Sequence, residues 1–468
     1  MTSTRRAAAR SRSGTRATAA TRRQPPDTDV IIVGAGAAGL AAANVLTEGG
    51  AECVVLEARG RTGGRIHTEW APGCAAPIEL GAEFIHGSAS PIQRLAERYR
   101  LRALDIAGDR FERSGTRLTV VRDMWARIDR VMRCLDPRRD PDRSLADALR
   151  ASRGRLSAAD RALATRFFEG FDAADPRVVS ERWLASMPSP AHDMREARVG
   201  RLVDGYGSLI DALARSIRER VRLDTTVSVV RWRRGHVEVV YHTGPNARRG
   251  WLTARAILIT VPLGVLQAPV GSTGAIRFDP AVPALDRASA SGVMGPVVKV
   301  VLHFAHPFWL EPRVTQRLGV ETLDRMSFMQ SRSPLPFGVW WTAYPVRAPV
   351  FVAWAGGPRA AALAGLPAAE LEHRAVQSLA AMLSTTAARV RKHLVASHYH
   401  DWCGDPFSRG AYSYARVGGY RMSALLARPI QQTIWYAGEA ADHAASTGTV
   451  HGAIASGERA ARRILTSR

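Results

Sequence analysis

Apolar positions along the chain follow two rhythms. Residues 29–33 form a short apolar run ending at glycine, which predicts a strand; 34–39 is a glycine turn, and the Ala-rich stretch 40–48 predicts a helix. A second short strand is predicted at 52–57. From 90 to 200, apolar residues recur at helical spacing with Pro-marked breaks, as at 91–99, 124–132 and 158–168, so this block reads as mainly helical. After a helix at 209–217 the pattern changes to β-type runs at 226–232, 236–242, 256–261, 297–304, 339–342 and 350–354. A strand at 434–436 then leads through a Gly-rich turn into a final helix from residue 450, and no internal repeat is present.

Composition narrows the class. The 468 residues, 46% hydrophobic and 23% charged, suit an ordinary globular chain of two to four domains. The longest largely apolar run, 256–266, is broken by Thr260, Pro262 and Gly264 and falls short of the roughly 18 residues a membrane span needs, so no membrane partner is expected. Cys53, Cys74, Cys134 and Cys403 lie far apart without C-x-x-C spacing, which gives neither a disulfide framework nor a zinc site and makes a cytoplasmic compartment the default. Residues 1–26 carry seven Arg and no acid among Ala, Ser and Thr, which predicts a disordered basic tail, set at 1–28; the same composition suits a transit peptide and leaves an organelle open.

The net charge of +23 extends beyond that tail, and all basic residues except Lys299 and Lys392 are Arg. Basic pairs such as Arg138/Arg139, Arg233/Arg234 and Arg248/Arg249 are scattered rather than gathered in an aromatic-interleaved stripe, which favours a solvated exterior over a nucleic-acid surface. His398 and His400 alternate on a candidate strand without an evident third ligand, so no metal site is assigned.

Gly34-Ala35-Gly36-Ala37-Ala38-Gly39 lies between predicted strand and helix, and Glu57 ends the next strand. In that setting Gly34 permits the tight turn, Gly36 lets the backbone approach a pyrophosphate, and Gly39 lets the helix pack on the sheet with its N-terminus toward the phosphates. Glu57 would accept from a ribose hydroxyl. The loop that follows, Ala58-Arg59-Gly60-Arg61-Thr62-Gly63-Gly64-Arg65, is flexible and cationic, suited to wrapping an extended cofactor, and points to FAD rather than a nicotinamide. Near the C-terminus, the strand ending in Tyr436-Ala437-Gly438-Glu439 and the helix start at Thr449-Val450 would add free N–H groups and partial positive charge for the pyrimidine edge of a flavin.

These residues, with Glu79 to Gly87, Val203-Asp204-Gly205-Tyr206-Gly207, Pro262 to Leu266, Lys299 to Phe304 and Asp401 to Tyr414, make the chain from Asp29 onward resemble the FAD-dependent amine oxidases: monoamine oxidases, polyamine oxidases and flavin-dependent histone demethylases. The resemblance implies an α/β fold, a Rossmann-like FAD-binding domain at 29–89, 201–285 and 401–468 with a discontinuous α+β substrate domain at 90–200 and 286–400. It also implies cofactor contacts from Ala38, Ala58, Arg59, Gly64 and Arg65, with Val227 backing the adenine, Glu439 at the ribityl or phosphate portion, and Gly81, Ala82, Glu83 and Phe84 at the isoalloxazine.

The implied reaction moves a hydride from the carbon next to an amine nitrogen to flavin N5; O2 then reoxidises the flavin to give H2O2, and the imine hydrolyses. Small-molecule amine and O2 are the expected partners. Lys299 interrupts an apolar β-run, where a buried ammonium is costly, and resembles the family lysine that holds a water at N5 and supports reoxidation. His86 matches a polar tunnel residue that would orient the amine or exchange a proton near neutral pH, Glu83 would meet flavin or substrate, and Tyr412 matches one wall of an aromatic cage. Two departures stand out. Ala411 replaces the cysteine that links flavin covalently in monoamine oxidases, implying non-covalent FAD; Ser446 and Thr449 stand where relatives carry the second cage ring. Three alternatives remain open: an amino-acid oxidase, which needs an Arg to clamp the carboxylate, a flavin dehydrogenase or desaturase, and a non-catalytic flavoprotein interaction module.

Overall fold

The computed structural model describes residues 25–87, 89–187, 199–444 and 446–467. The expected basic tail falls outside these residues up to position 24. Its assigned end is too late, because Asp27 and Thr28 belong to the folded body: Thr253 donates to the Asp27 carboxylate through its backbone N–H and hydroxyl, both at 2.8 Å, and Thr28 opens the first strand.

An eight-stranded sheet is built around Thr28–Val33, which lies parallel between Cys53–Leu56 and Arg248–Ile259. Val221–Arg222 extends it beyond Cys53–Leu56, and Ile434–Tyr436 pairs in parallel with the end of Arg248–Ile259. Thr225–Arg233 and His236–Thr243 add an antiparallel ribbon, and Arg277–Asp279 forms the far edge. Central strands covered on both faces require nearly unbroken apolar runs, which is why residues 30–33 are all buried. The Arg248–Ile259 strand begins earlier than its apolar core at 256 because its pairing with His236–Thr243 draws polar residues into the ladder.

A seven-stranded sheet runs in the order Leu394–Tyr399, Val297–Phe304, Val350–Gly356, Val339–Thr342, Met326–Ser331, Asp109–Ser114, Arg117–Val120. Every residue of Val297–Phe304 is buried. The block 90–200 is mainly helical, as expected, at Ser90–Tyr99, Met124–Met132, Leu145–Ala151, Ala158–Phe171 and Glu181–Ser186, and it also contains strands at Ala103–Asp105, Asp109–Ser114 and Arg117–Val120 that the helical spacing does not reveal. Asp109–Ser114 carries charge at four of six positions, so its strand character comes from pairing with Met326–Ser331 across the chain rather than from local pattern. No helix of the described residues is long and apolar enough to cross a membrane.

The helix Ala37–Glu48, which starts at the glycine turn, packs against the C-terminal helix Val450–Thr466 backbone to backbone. A Cβ on Gly457 would sit 2.2 Å from the Ala38 carbonyl oxygen, and that oxygen belongs to main chain that cannot swing aside. Gly457→Ala should therefore force the helices apart at a cost of about 1–3 kcal/mol. A melting temperature equal to wild type would show that the interface has slack.

Candidate active site

One cavity of about 480 Å³ is lined by residues of both large sheets. Every residue expected to touch cofactor or substrate lines it, with the exception of Gly39. Gly39 instead performs the packing role: its Cβ would lie 2.0 Å from the Gly34 carbonyl oxygen. At Gly36 the nearest atom to a built Cβ is 3.9 Å away, so this glycine leaves approach space for a ligand. The helix Ala37–Glu48 has no side-chain cap, which leaves its first N–H groups to be satisfied by an anion.

Glu57 braces the turn. Its Oε2 accepts from the Ala35 N–H at 2.7 Å and its Oε1 from the Arg59 N–H at 2.9 Å, while burial pushes its pKa up against those bonds. Arg59 donates to Asp405 at 2.7 Å and to the Ser408 hydroxyl at 2.9 Å. Burial would raise the Asp405 carboxyl, yet bonds from His400 and Arg59 hold it well below the usual carboxylate range. Val227 lies at a bulge in Thr225–Arg233. Arg65 donates to the Ala411 carbonyl at 2.6 Å and to Glu439 at 2.8 Å; the other Glu439 oxygen accepts from the Ser413 hydroxyl at 2.7 Å. Thr449 caps the C-terminal helix, its hydroxyl accepting from the Gly452 N–H at 3.0 Å. An uncapped helix start, an open glycine and a cationic loop on one cavity fit an elongated dinucleotide such as FAD.

Lys299 is buried, and its ammonium donates to Glu83 at 2.7 Å and to the Gly81 carbonyl at 3.2 Å. Arg201 donates to the other Glu83 oxygen at 2.8 Å, and the Trp341 indole N–H reaches both oxygens at 3.0 Å. Burial alone would raise the Glu83 carboxyl, but Lys299 and Arg201 together hold it below its ordinary value. With its acceptor sites taken, Glu83 borders the cavity as a counter-ion already committed to protein donors. Arg201 and Trp341 were not singled out from sequence. Trp341 had a signal in the alternation of Val339–Thr342: Trp340 enters the core on one face and Trp341 turns to the cavity side on the other.

His86 lies between Phe84 and Phe171, with ring centroids at 5.9 and 5.4 Å. Burial, helped by His451 and Arg110, lowers its pKa to about 4, so proton exchange near neutrality, one of its two expected roles, is corrected: the ring is neutral there. Asp172, on the same cavity, is the group that titrates in that range, its carboxyl pushed up to about 7 by burial. The Tyr412 hydroxyl donates to the Phe171 carbonyl at 2.8 Å, and burial raises its pKa well above normal. No other ring among the described residues packs on Tyr412, while Gly448 lies against it, 3.4 Å from a built Cβ to the ring. His398 and His400 do not share a site: His400 pairs with Asp405 and His398 approaches Glu69 at 3.7 Å. Elsewhere His306, Glu311 and His393 come together, but Glu311 already accepts from Arg313 at 2.9 Å and Arg389 at 2.6 Å.

Comparison with known proteins agrees with this geometry. Polyamine oxidase 4 of Oryza sativa subsp. japonica is 29% identical over 93% of this chain and 88% of its own length. A solved putrescine oxidase, wild type bound to putrescine, superposes with a TM-score of 0.76 at 22% identity, covering 94% of this chain and 99% of its own. Cyclohexylamine oxidase from Brevibacterium oxydans IH-35A gives 0.77 at 22% identity with the same coverage. Residues 37–465 match the family described as flavin containing amine oxidoreductase. The chain belongs to that family of flavin-dependent amine oxidoreductases.

Proposed function

We propose that the protein is an oxidase that holds FAD non-covalently along this cavity and oxidises an amine beside Lys299, with O2 as acceptor and H2O2 and an imine as products. The observation that carries the reading is that a single cavity brings the uncapped Ala37–Glu48 helix start and Glu57 together with the Lys299 ammonium, although these residues lie far apart in sequence. FAD, when bound, supplies the hydride acceptor and passes the electron pair to O2. The Gly34–Ala38 turn would hold its pyrophosphate, Glu57 a ribose hydroxyl, Val227 the adenine, and Glu439 the ribityl portion. Gly81 to Phe84 would line the ring system, and the helix start at Thr449 and Val450 its pyrimidine edge. The division into FAD-binding segments 29–89, 201–285 and 401–468 and substrate segments 90–200 and 286–400 is supported by the strand membership of the two large sheets.

Around the reacting amine, Tyr412 is a flat wall fixed through its hydroxyl, and neutral His86 orients substrate by hydrogen bonding. Asp172 is the group suited to take the proton from a bound ammonium, because it lines the cavity without a cation to pair with among the described residues and burial raises its carboxyl to about 7. Lys299 and Arg201 together outnumber Glu83, leaving about one net positive charge beside the cavity, only partly offset by Glu79, whose carboxyl burial pushes up to about 7. That charge favours electron transfer to O2, which develops negative charge.

Three outcomes follow. Lys299→Met should slow reoxidation of the reduced enzyme by O2 about tenfold or more, the size of a lost electrostatic stabiliser, while FAD content stays near wild type; unchanged stopped-flow reoxidation removes the role. No cysteine lines the cavity among the described residues, so denaturation followed by filtration should release all flavin into the filtrate. Flavin retained on the chain would contradict non-covalent binding. For Asp172, kcat/KM should rise with pH through about 7 and lose that inflection in Asp172→Asn. Its native pKa lies above the unfolded value of 3.8, so the folded chain keeps a proton the unfolded chain has released. Stability from this group is therefore full below 3.8 and declines up to about 7, and the Asn variant should flatten that decline. An unchanged profile in both measurements would take Asp172 out of the mechanism.

A further inference from the structure

Seven side chains form a closed circuit around part of the cavity. Ring centroids run from Phe328 to Phe84 at 5.4 Å, Phe84 to His86 at 5.9 Å, His86 to Phe171 at 5.4 Å, Phe171 to Phe167 at 5.0 Å and Phe167 to Trp125 at 5.9 Å. Arg110 closes it, its guanidinium carbon 5.1 Å from the Trp125 centroid and 4.4 Å from that of Phe328. All seven line the cavity.

Arg110 differs from the other cations of the cavity. Arg59 has Asp405, Arg65 has Glu439, Lys299 has Glu83, and Arg166 has Glu112 at 3.7 Å. Glu112, two residues along the Arg110 strand, is instead taken by Arg332 and Arg166. No carboxylate among the described residues pairs with Arg110, and burial alone pulls its pKa down to about 10 with no acid countering the shift. A guanidinium stacked on aromatic faces keeps its in-plane N–H donors free, and those donors match the two oxygens of a carboxylate.

We propose that Arg110 is the anion anchor of this collar and that the preferred substrates are amines carrying a carboxylate at the far end of an alkyl chain. This rests on the amine-oxidase reading above. The separation follows from the sheet: Lys299 on Val297–Phe304 and Arg110 on Asp109–Ser114 stand four strand steps apart, about 19 Å at roughly 4.8 Å per step. Trp341 and Phe328 stand on two of the intervening strands, so the anchor and the reacting end are too far apart for an anion and an amine on one carbon. The same cation disfavours a second ammonium, so diamines and polyamines meet repulsion where aminocarboxylates meet a partner.

The test uses the holoenzyme and four probes of equal carbon count: ε-aminocaproate, norleucine, hexylamine and hexamethylenediamine. Wild type should prefer ε-aminocaproate over the other three by about tenfold or more in kcat/KM, the scale of one charge-assisted bond. Arg110→Met should abolish the preference over hexylamine, Arg110→Lys should keep part of it, and Arg110→Glu should turn it toward the diamine. FAD content of each variant separates misfolding from lost recognition. Caproate, which has no amine to oxidise, should perturb the bound flavin spectrum of wild type and Arg110→Lys more than that of Arg110→Met. Diamine or norleucine preferred by wild type, or a preference unmoved in Arg110→Met, overturns the inference. If no amine is turned over while caproate binding still depends on Arg110, the oxidase reading fails and the anion anchor stands; equal caproate binding by wild type and Arg110→Met overturns the anchor.

Discussion

Two cations and one carboxylate are buried together where Lys299, Arg201 and Glu83 meet, and the burial of that charge constrains the elements around it. An ammonium on a strand whose eight positions are all buried is tolerated only if its partner is fixed as firmly as itself. Glu83 comes from the loop after Ile78–Glu79, Arg201 from Gly200–Leu202, and Trp341 from the next strand but one to that of Lys299 in the seven-stranded sheet. Removing one member of such a group leaves an uncompensated buried charge, typically worth about 3–5 kcal/mol. The cluster therefore locks a loop that borders the cavity onto the seven-stranded sheet.

That lock is transmitted outward by main chain. Lys299 also holds the Gly81 carbonyl, and a Cβ on Gly81 would sit 1.9 Å from the Arg65 carbonyl oxygen, so the Gly81 loop and the cationic loop touch without intervening side chains. Arg65 in turn ties Ala411 and Glu439 from the last part of the chain. Segments separated by hundreds of residues are thus held in one wall by a short relay of ion pairs and close backbone contacts. A rigid wall of this kind suits a reaction in which the protein orients two partners and excludes water.

What could be read in the sequence were features whose cause is local. The glycine turn, Glu57 and the strand around Lys299 each carry their reason within a few neighbours: a positive φ at Gly34, an acid closing a strand, a charge inside an apolar run. Arg201 and Trp341 gain their meaning from Glu83, which lies 118 and 258 positions away, and no local pattern announces that meeting. The strands at 109–120 were hidden for the same reason, since their charged residues are held in place by a partner strand more than two hundred residues later. Asp172 and His86 show the limit most plainly: the side chain is evident in the sequence, but the direction of its pKa is set by burial that only the folded chain creates.

The +23 excess of the whole chain says little about the substrate, because charges on a wet surface are screened over about 8 Å at physiological ionic strength. Inside the cavity the opposite holds. There most charges are cancelled in pairs, and an uncancelled one acts through protein rather than water. Arg110 and Asp172 are the side chains on this cavity whose charge the described residues leave without an ion-pair partner. They stand on elements outside the buried Lys299 cluster, Arg110 on Asp109–Ser114 and Asp172 just past Ala158–Phe171. Paired charges hold the cavity wall in place, while the unpaired ones are free to be completed by a ligand. On the proposed reading, choice among amines would therefore change at Arg110, and proton uptake at Asp172, without disturbing the ion pairs on which the wall depends.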